Sequence, residues 1–166
     1  MKLATHYTFT IGLVALAARP LLPIGWALAI ATWLGLFVNS VIDKAGHEAR
    51  GGITRRTVVT HSIPGAVGVG VAAGVLPVAL AALLAPGALA SAGIQGVGID
   101  ALIALMAALG AIAGLSHLFL DALTEGGIYY RGRRWAIAHW RYDCAAANMP
   151  FALLGLLMLA GAMVGL

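Results

Sequence analysis

Charged side chains are scarce in this chain of 166 residues. They make up 10% of the sequence, whereas about a quarter is usual in soluble domains. Hydrophobic residues account for 61%, and the mean hydropathy is +0.97. These values exclude an ordinary water-soluble fold. A chain of this length holds about five membrane spans of roughly 20 residues with short loops. We therefore predict an all-α, multi-pass integral membrane bundle that forms one domain, residues 1–166.

Cysteine is almost absent as well. The single Cys144 excludes an intramolecular disulfide and any zinc site built from cysteines. One glutamine, two asparagines and more arginine than lysine are typical of proteins from thermophiles. The sequence also contains no nucleotide-binding loop, no Ser-His-Asp arrangement and no motif for a covalent cofactor.

The apolar residues fall into five long segments. We predict transmembrane helices at residues 3–18, 21–42, 58–85, 99–123 and 145–166. The first segment imitates a secretory signal peptide, but the polar run at residues 5–8 interrupts it, so we interpret it as a retained helix. Pro64 and Pro77 predict a kink in the third segment.

The basic residues occupy two of the connecting loops. Residues 43–57 and 124–144 hold four each, and residues 86–98 hold none. By the positive-inside rule, both basic loops are cytoplasmic and the C-terminus lies outside the cell membrane. This pattern also explains the net charge of +4 without nucleic acid as a partner.

Small residues recur at intervals of four in two of the spans. They are Ala66, Gly70 and Gly74 in the third span and Gly110 and Gly114 in the fourth. Such spacing lets helix backbones approach closely in lipid. We expect this packing within the chain, and the pattern leaves formation of a homo-oligomer open.

All five histidines are predicted to reach the cytoplasmic face, together with most of the carboxylates. Asp43 and His47 are four residues apart, as are His117 and Asp121, so each pair shares one helical face. Imidazole and carboxylate are usual ligands of zinc, manganese and iron, and we expect zinc first. The predicted metal ligands are His6, Asp43, His47, His61, His117 and Asp121. A polar cluster that only packs the loops together is the alternative.

Two glutamates are candidates for an acid or base beside the metal. Glu48 follows His47, and Glu125 lies four residues after Asp121. A metal-activated water needs a nearby carboxylate to accept its proton. Salt bridges to Arg50 and Arg131 are the alternative roles of these two glutamates.

The basic loops also supply candidates for substrate binding, because arginine binds phosphate by two parallel hydrogen bonds. These candidates are Arg55, Arg56, Arg131, Arg133, Arg134, His139 and Arg141. Positive-inside topology alone would also explain the arginines, and His139 could be an interfacial residue. Tyrosines and tryptophans between residues 129 and 142 predict that this segment lies along the membrane surface.

Several of these residues form motifs. The run Gly114-Leu115-Ser116-His117-Leu118-Phe119-Leu120-Asp121-Ala122-Leu123-Thr124 resembles the Ser-His-x-x-x-Asp-x-x-Thr signature of the YdjM-like predicted membrane-bound metal-dependent hydrolases. Thr60-His61-Ser62 resembles the Thr-His-Ser element of that family. His6, Asp43 and His47 extend the resemblance over residues 6–142, and an archaeal branch is the most similar.

This resemblance implies a membrane hydrolase with metal ligands at His61, His117 and Asp121, and further ligands at Asp43, His47 and His6. Our leading hypothesis is therefore hydrolysis of an ester or phosphoester in a lipid or lipid-linked substrate, with membrane lipid as a partner. A transporter that binds the same cation and a scaffold subunit without catalysis are the alternatives.

Overall fold

The computed structural model describes residues 1–50, 53–85, 87 and 98–166. Within these ranges the chain forms five α-helices: α1 Leu3–Ala18, α2 Ile24–Ala45, α3 Ile63–Leu84, α4 Ile99–Ala122 and α5 Ala145–Val164. Two short antiparallel hairpins accompany them, and they pair β1 His47–Arg50 with β2 Ile53–Arg56, and β3 Ile128–Tyr130 with β4 Arg133–Trp135. The all-α helical bundle predicted from the sequence is confirmed.

Four of these helices, α2 to α5, are long and apolar enough to cross a membrane, and α1 is a shorter apolar helix of 16 residues. Many large apolar side chains on them point outward. Leu83 is 78% exposed and Leu157 is 68% exposed. In water such surfaces would be costly, whereas lipid tails cover them at no cost. The fold is that of a membrane protein.

Helix boundaries differ from the predicted ones where proline and capping residues act. α2 begins after Pro23 and continues to Ala45, so Asp43 lies on its last turn rather than beyond it. α3 begins only at Ile63, because Ser62 caps it by accepting a hydrogen bond from the Gly65 amide at 3.4 Å. Pro64 occupies the first turn, where its missing N–H is not needed.

The small residues of α3 and α4 pack directly against each other. A Cβ atom added to Gly70 would meet the carbonyl group of Gly110, and one added to Gly114 would meet that of Ala66. The predicted close packing is therefore present within the chain. It lets the two backbones touch along a seam of Ala66, Gly70, Gly74, Gly110 and Gly114, which we call the glycine seam.

Both hairpins lie at one end of the bundle, where α2 and α4 end and α3 begins. The Thr57 amide donates to the Gly46 carbonyl at 2.8 Å, which closes the first hairpin region against the end of α2. The Tyr129 amide donates to the His61 carbonyl at 2.8 Å and joins the two loops. The histidines of the helix ends therefore come together beneath these hairpins.

Candidate metal centre

Four side chains from three helix ends converge beneath the hairpins. Asp43, His61, His117 and Asp121 each offer one ligand atom, and these atoms all lie within 4.8 Å of one another. The two histidines and Asp121 are completely buried, and Asp43 is partly exposed. We call these four residues the candidate metal centre.

Local structure explains why these side chains meet. His117 and Asp121 are one helical turn apart on α4, so they project from the same face. Asp43 lies on the last turn of α2. His61 precedes α3 and is held through its backbone, since its amide donates to Thr57 at 3.2 Å and its carbonyl accepts from Tyr129.

The ligand atoms have spacings that suit a metal ion. His117 Nε2 lies 3.1 Å from Asp121 Oδ2 and 3.6 Å from Asp43 Oδ1, and His61 Nε2 lies 3.6 Å from Asp121 Oδ2. A tetrahedral ion with bonds of about 2.1 Å would hold its ligand atoms about 3.4 Å apart. The cluster could therefore hold a divalent ion after small side-chain adjustments.

Asn39 determines which nitrogen of His117 faces the other residues of the candidate metal centre. Its amide nitrogen donates to the Gly35 carbonyl at 2.6 Å, so its oxygen is the acceptor that faces His117 Nδ1 at 2.8 Å. Nδ1 of His117 therefore donates its proton to Asn39, and Nε2 is the nitrogen directed toward the carboxylates of Asp43 and Asp121. In a neutral imidazole protonated on Nδ1, the lone pair of Nε2 would face these two carboxylates, an arrangement that a cation between them stabilises.

His61 is also held through its Nδ1 atom. Thr60 Oγ1 lies 3.0 Å from His61 Nδ1, which leaves Nε2 directed toward Asp121. Burial lowers the pKa of His61 to about 3, although the charge of Asp121 opposes this shift. A neutral imidazole is the form that binds metal. Among the described residues, His61 Nε2, His117 Nε2 and Asp121 Oδ2 have no hydrogen-bond partner.

Arg56 holds the second oxygen of Asp121. Its Nη2 donates to Asp121 Oδ1 at 2.6 Å, and its Nη1 donates to the Gly127 carbonyl at 2.6 Å and to Thr124 Oγ1 at 3.4 Å. The amino nitrogen of Met1 lies 3.3 Å from the same Oδ1. Asp121 is therefore oriented with Oδ1 toward Arg56 and Oδ2 toward His61 and His117.

His6 and His47 border the centre without belonging to the group of four. His6 stacks on His117 with ring centroids 4.2 Å apart, and its Nε2 lies 3.3 Å from Asp121 Oδ1. His47 Nδ1 is hydrogen-bonded to the carbonyl of Asp43, and its ring lies 5.2 Å from that of His61. Both are close enough to support the ligands, and their predicted role as ligands stays a prediction.

A pocket of about 1140 Å³ opens over the centre. It reaches the centre through Asp43 and Arg56 and extends along β2, β4 and the start of α1. Its lining consists of Met1, Lys2, Leu3, Asp43, Lys44, His47, Arg55, Arg56, Thr124, Glu125, Gly126, Tyr129, Arg134 and Tyr142. We call it the basic pocket, because five of these residues are lysine or arginine.

The remaining predicted site residues differ in whether they line this pocket. Glu125 is exposed and lines it, whereas Glu48 is exposed on β1 opposite Arg55 and is not part of the lining. Of the predicted substrate-binding residues, Arg55, Arg56 and Arg134 line the pocket. The others are exposed and lie outside the lining: Arg131, Arg133, His139 and Arg141.

Sequence reasoning missed several residues of this region. Asn39 and Thr60 orient the two histidines, and Lys2 and Lys44 line the basic pocket. Asn39 precedes Asp43 by four residues, and this spacing could have placed it on the same face of α2. Thr60 stands next to His61 in the sequence, but a neighbouring threonine is too common to be a signal.

The fold and the site together define a helical membrane protein with a buried His/Asp cluster that could hold a metal ion. The chain belongs to the family described as "Protein of unknown function (DUF1286)", whose model matches residues 1–120. That match includes Asp43, His61 and His117 and ends one residue before Asp121. No curated protein and no solved structure matches the chain. The similarity to YdjM-like hydrolases, and an origin in a thermophile or an archaeon, stay predictions.

Proposed function

We propose that this protein is a metal-dependent membrane hydrolase that cleaves an ester or phosphoester in a lipid or lipid-linked substrate. The observation that carries the proposal is the position of His117 Nε2, which Asn39 holds toward the carboxylates of Asp43 and Asp121. A buried arrangement of this kind is favourable when a cation occupies it. Zinc is the first candidate, with manganese and iron as alternatives.

The composition of the centre supports catalysis. A divalent ion held here would polarise a substrate oxygen and lower the pKa of a water molecule. Three of the ligands are buried, but Asp43 faces the basic pocket, so substrate could approach from that side. Glu125 lines the same pocket, and we assign to its carboxylate the proton released by the attacking water.

The position of the centre supports a lipid substrate. The pocket lies at the ends of helices that are apolar enough to span a membrane, and its lining includes Leu3, Tyr129 and Tyr142 beside the cationic residues. A lipid could place its headgroup in the pocket while its tails stay in the bilayer. The positive-inside prediction assigns this face to the cytoplasm.

The first test is metal content by elemental mass spectrometry on detergent-purified protein, prepared without a polyhistidine tag or chelator. We expect about one equivalent of zinc, manganese or iron in the wild-type protein. His117→Ala and Asp121→Ala should lose it, because each removes a ligand. His139→Ala is the matched control, since His139 is exposed and lies outside the metal centre and the pocket lining.

The second test is hydrolysis by the metal-loaded protein of short-chain lipid esters and phosphoesters. Activity should require metal and should be lost in His117→Ala. Full metal content in both ligand variants would show that the site is assigned wrongly. Wild-type protein that takes up none of the three ions would contradict the proposed function.

A further inference from the structure

The charge of the basic pocket points to the class of group that binds in it. Five of the lining residues are cationic, namely Lys2, Lys44, Arg55, Arg56 and Arg134, and two are anionic, namely Asp43 and Glu125. The lining therefore carries three more positive than negative side chains. A divalent ion that compensates the charges of Asp43 and Asp121 would raise this excess to four, because Asp43 is one of the two anions of the lining.

Within the described residues, four of these five cations form no ion pair. Arg56 is paired with Asp121. In the described part of the chain, Lys2, Lys44, Arg55 and Arg134 take part in no ion pair. They come from the start of α1, the end of α2, β2 and β4, so their convergence on one pocket comes from the fold and not from a single basic run.

We infer that the basic pocket binds the phosphate group of the substrate beside the metal centre. A phosphate monoester carries about two negative charges and three acceptor oxygens near neutral pH, which suits several unpaired cations better than a single carboxylate does. Arg55 and Arg134 offer planar guanidinium groups that bind phosphate oxygens in pairs. This inference rests on the proposed function and narrows its substrate to phosphate-bearing molecules.

The positions of two adjacent arginines distinguish a phosphate site from loops that are basic only because of the positive-inside rule. Arg133 and Arg134 are adjacent on β4, and neighbouring strand residues point to opposite sides. Arg134 lines the pocket and Arg133 does not. Membrane topology treats the two arginines alike, whereas a phosphate site in the pocket requires one of them.

The experiment compares Arg134→Gln with Arg133→Gln in the full-length, metal-loaded protein in a phosphate-free detergent. Inorganic phosphate and dihexanoyl phosphatidate are titrated, and the dissociation constant is measured by calorimetry. We expect Arg134→Gln to weaken binding about tenfold. Arg133→Gln should change the dissociation constant by less than about twofold, as is usual for an exposed charge. Thermal unfolding checks that both variants are folded.

The outcomes separate this inference from the function on which it rests. Absence of phosphate binding in the wild-type protein, or equal effects of the two substitutions, would overturn the inference. If that protein still binds metal and cleaves the neutral ester tributyrin, the proposed function survives alone. Protein that takes up no metal overturns both. Tighter binding of dihexanoyl phosphatidate than of inorganic phosphate identifies a lipid phosphate, and equal affinity identifies a free phosphate group.

Discussion

Asn39 is a polar residue in an apolar helix, and it contacts the candidate metal centre through a single hydrogen bond with His117. The residue is completely buried, and both ends of its amide are used, one by Gly35 and the other by His117. Buried amides are retained in such positions only when their hydrogen bonds are made. Asn39 therefore holds the His117 ring with Nε2 toward Asp43 and Asp121.

Substitution of Asn39 should test this role. We expect Asn39→Ala to weaken metal affinity by about 10- to 100-fold, as is usual for the loss of a hydrogen bond to a metal-binding histidine. Asn39→Asp should restore most of the affinity, because a carboxylate also accepts the Nδ1 proton. The measurement is competition with a chelator of known affinity.

Ser40→Ala is the matched control for this series. Ser40 is the next residue of α2, and its hydroxyl is hydrogen-bonded to Tyr7 at 2.7 Å rather than to the centre. Its substitution should leave metal affinity unchanged. Equal effects of Asn39→Ala and Ser40→Ala on metal affinity would contradict the proposed role of the hydrogen bond between Asn39 and His117.

The residues of the centre could be predicted from the sequence more completely than its hydrogen bonds. Asp43, His61, His117 and Asp121 were all predicted as ligands, because topology brings the ends of their helices to one face. The role of Arg56 could not be predicted, since its contact with Asp121 spans 65 positions of the chain. A sequence shows that a charge is present in a loop but not which of several buried groups it pairs with.

At the scale of elements, the glycine seam determines how closely α3 and α4 approach. Gly70 and Gly110 each face the backbone of the other helix. In lipid no hydrophobic effect drives the helices together, so close van der Waals contact carries much of the stability. His117 and Asp121 follow this seam on α4, and the seam thus supports their position relative to His61 before α3.

Gly70→Ala should therefore destabilise the protein. The added methyl group would meet the Gly110 carbonyl, and overpacking of this kind costs about 1–3 kcal/mol. Gly68→Ala is the matched control on the same helix, because nothing lies within 4 Å of its added Cβ. It should be neutral or stabilise the helix by up to about 1 kcal/mol.

Thermal unfolding in detergent measures both changes. A drop in melting temperature for Gly70→Ala alone is the expected result. Equal melting temperatures for the two variants would show that Gly70 does not touch the backbone of α4.

Secondary structure was predictable where it depends on long apolar runs. All five helices were expected, with ends that differ by up to five residues where Ser62 and Pro23 act. The hairpins were not expected. Strands of three or four residues, such as Arg133–Trp135 with three exposed side chains, lack the alternation that reveals a strand, and hydrogen bonds to distant loops hold them in place.

At the scale of the whole molecule, the two hairpins, the basic pocket and the candidate metal centre occupy one end of the bundle. α3 ends and α4 begins at the opposite end of the bundle, and the segment that connects them there contains no basic residue. This asymmetry predicts that the end of the bundle with the candidate metal centre faces the cytoplasm.

Cysteine labelling tests this orientation. In a Cys144→Ala background, Arg133→Cys places a thiol on β4, and Gly87→Cys places one after the end of α3, where the residue is exposed. A membrane-impermeant maleimide should label Gly87→Cys in intact cells and Arg133→Cys only after lysis. The reverse pattern would show that the centre faces outward.

The centre also constrains how the length of this chain can change during evolution. Asn39 and Asp43 are one turn apart on α2, and His117 and Asp121 are one turn apart on α4. One residue inserted within either pair would rotate everything after it by about 100° around the helix axis. The segment between α3 and α4 supplies none of the four ligands. Homologous chains that keep the centre are therefore expected to gain or lose residues in that segment, and to show no gaps within residues 39–43 or 117–121.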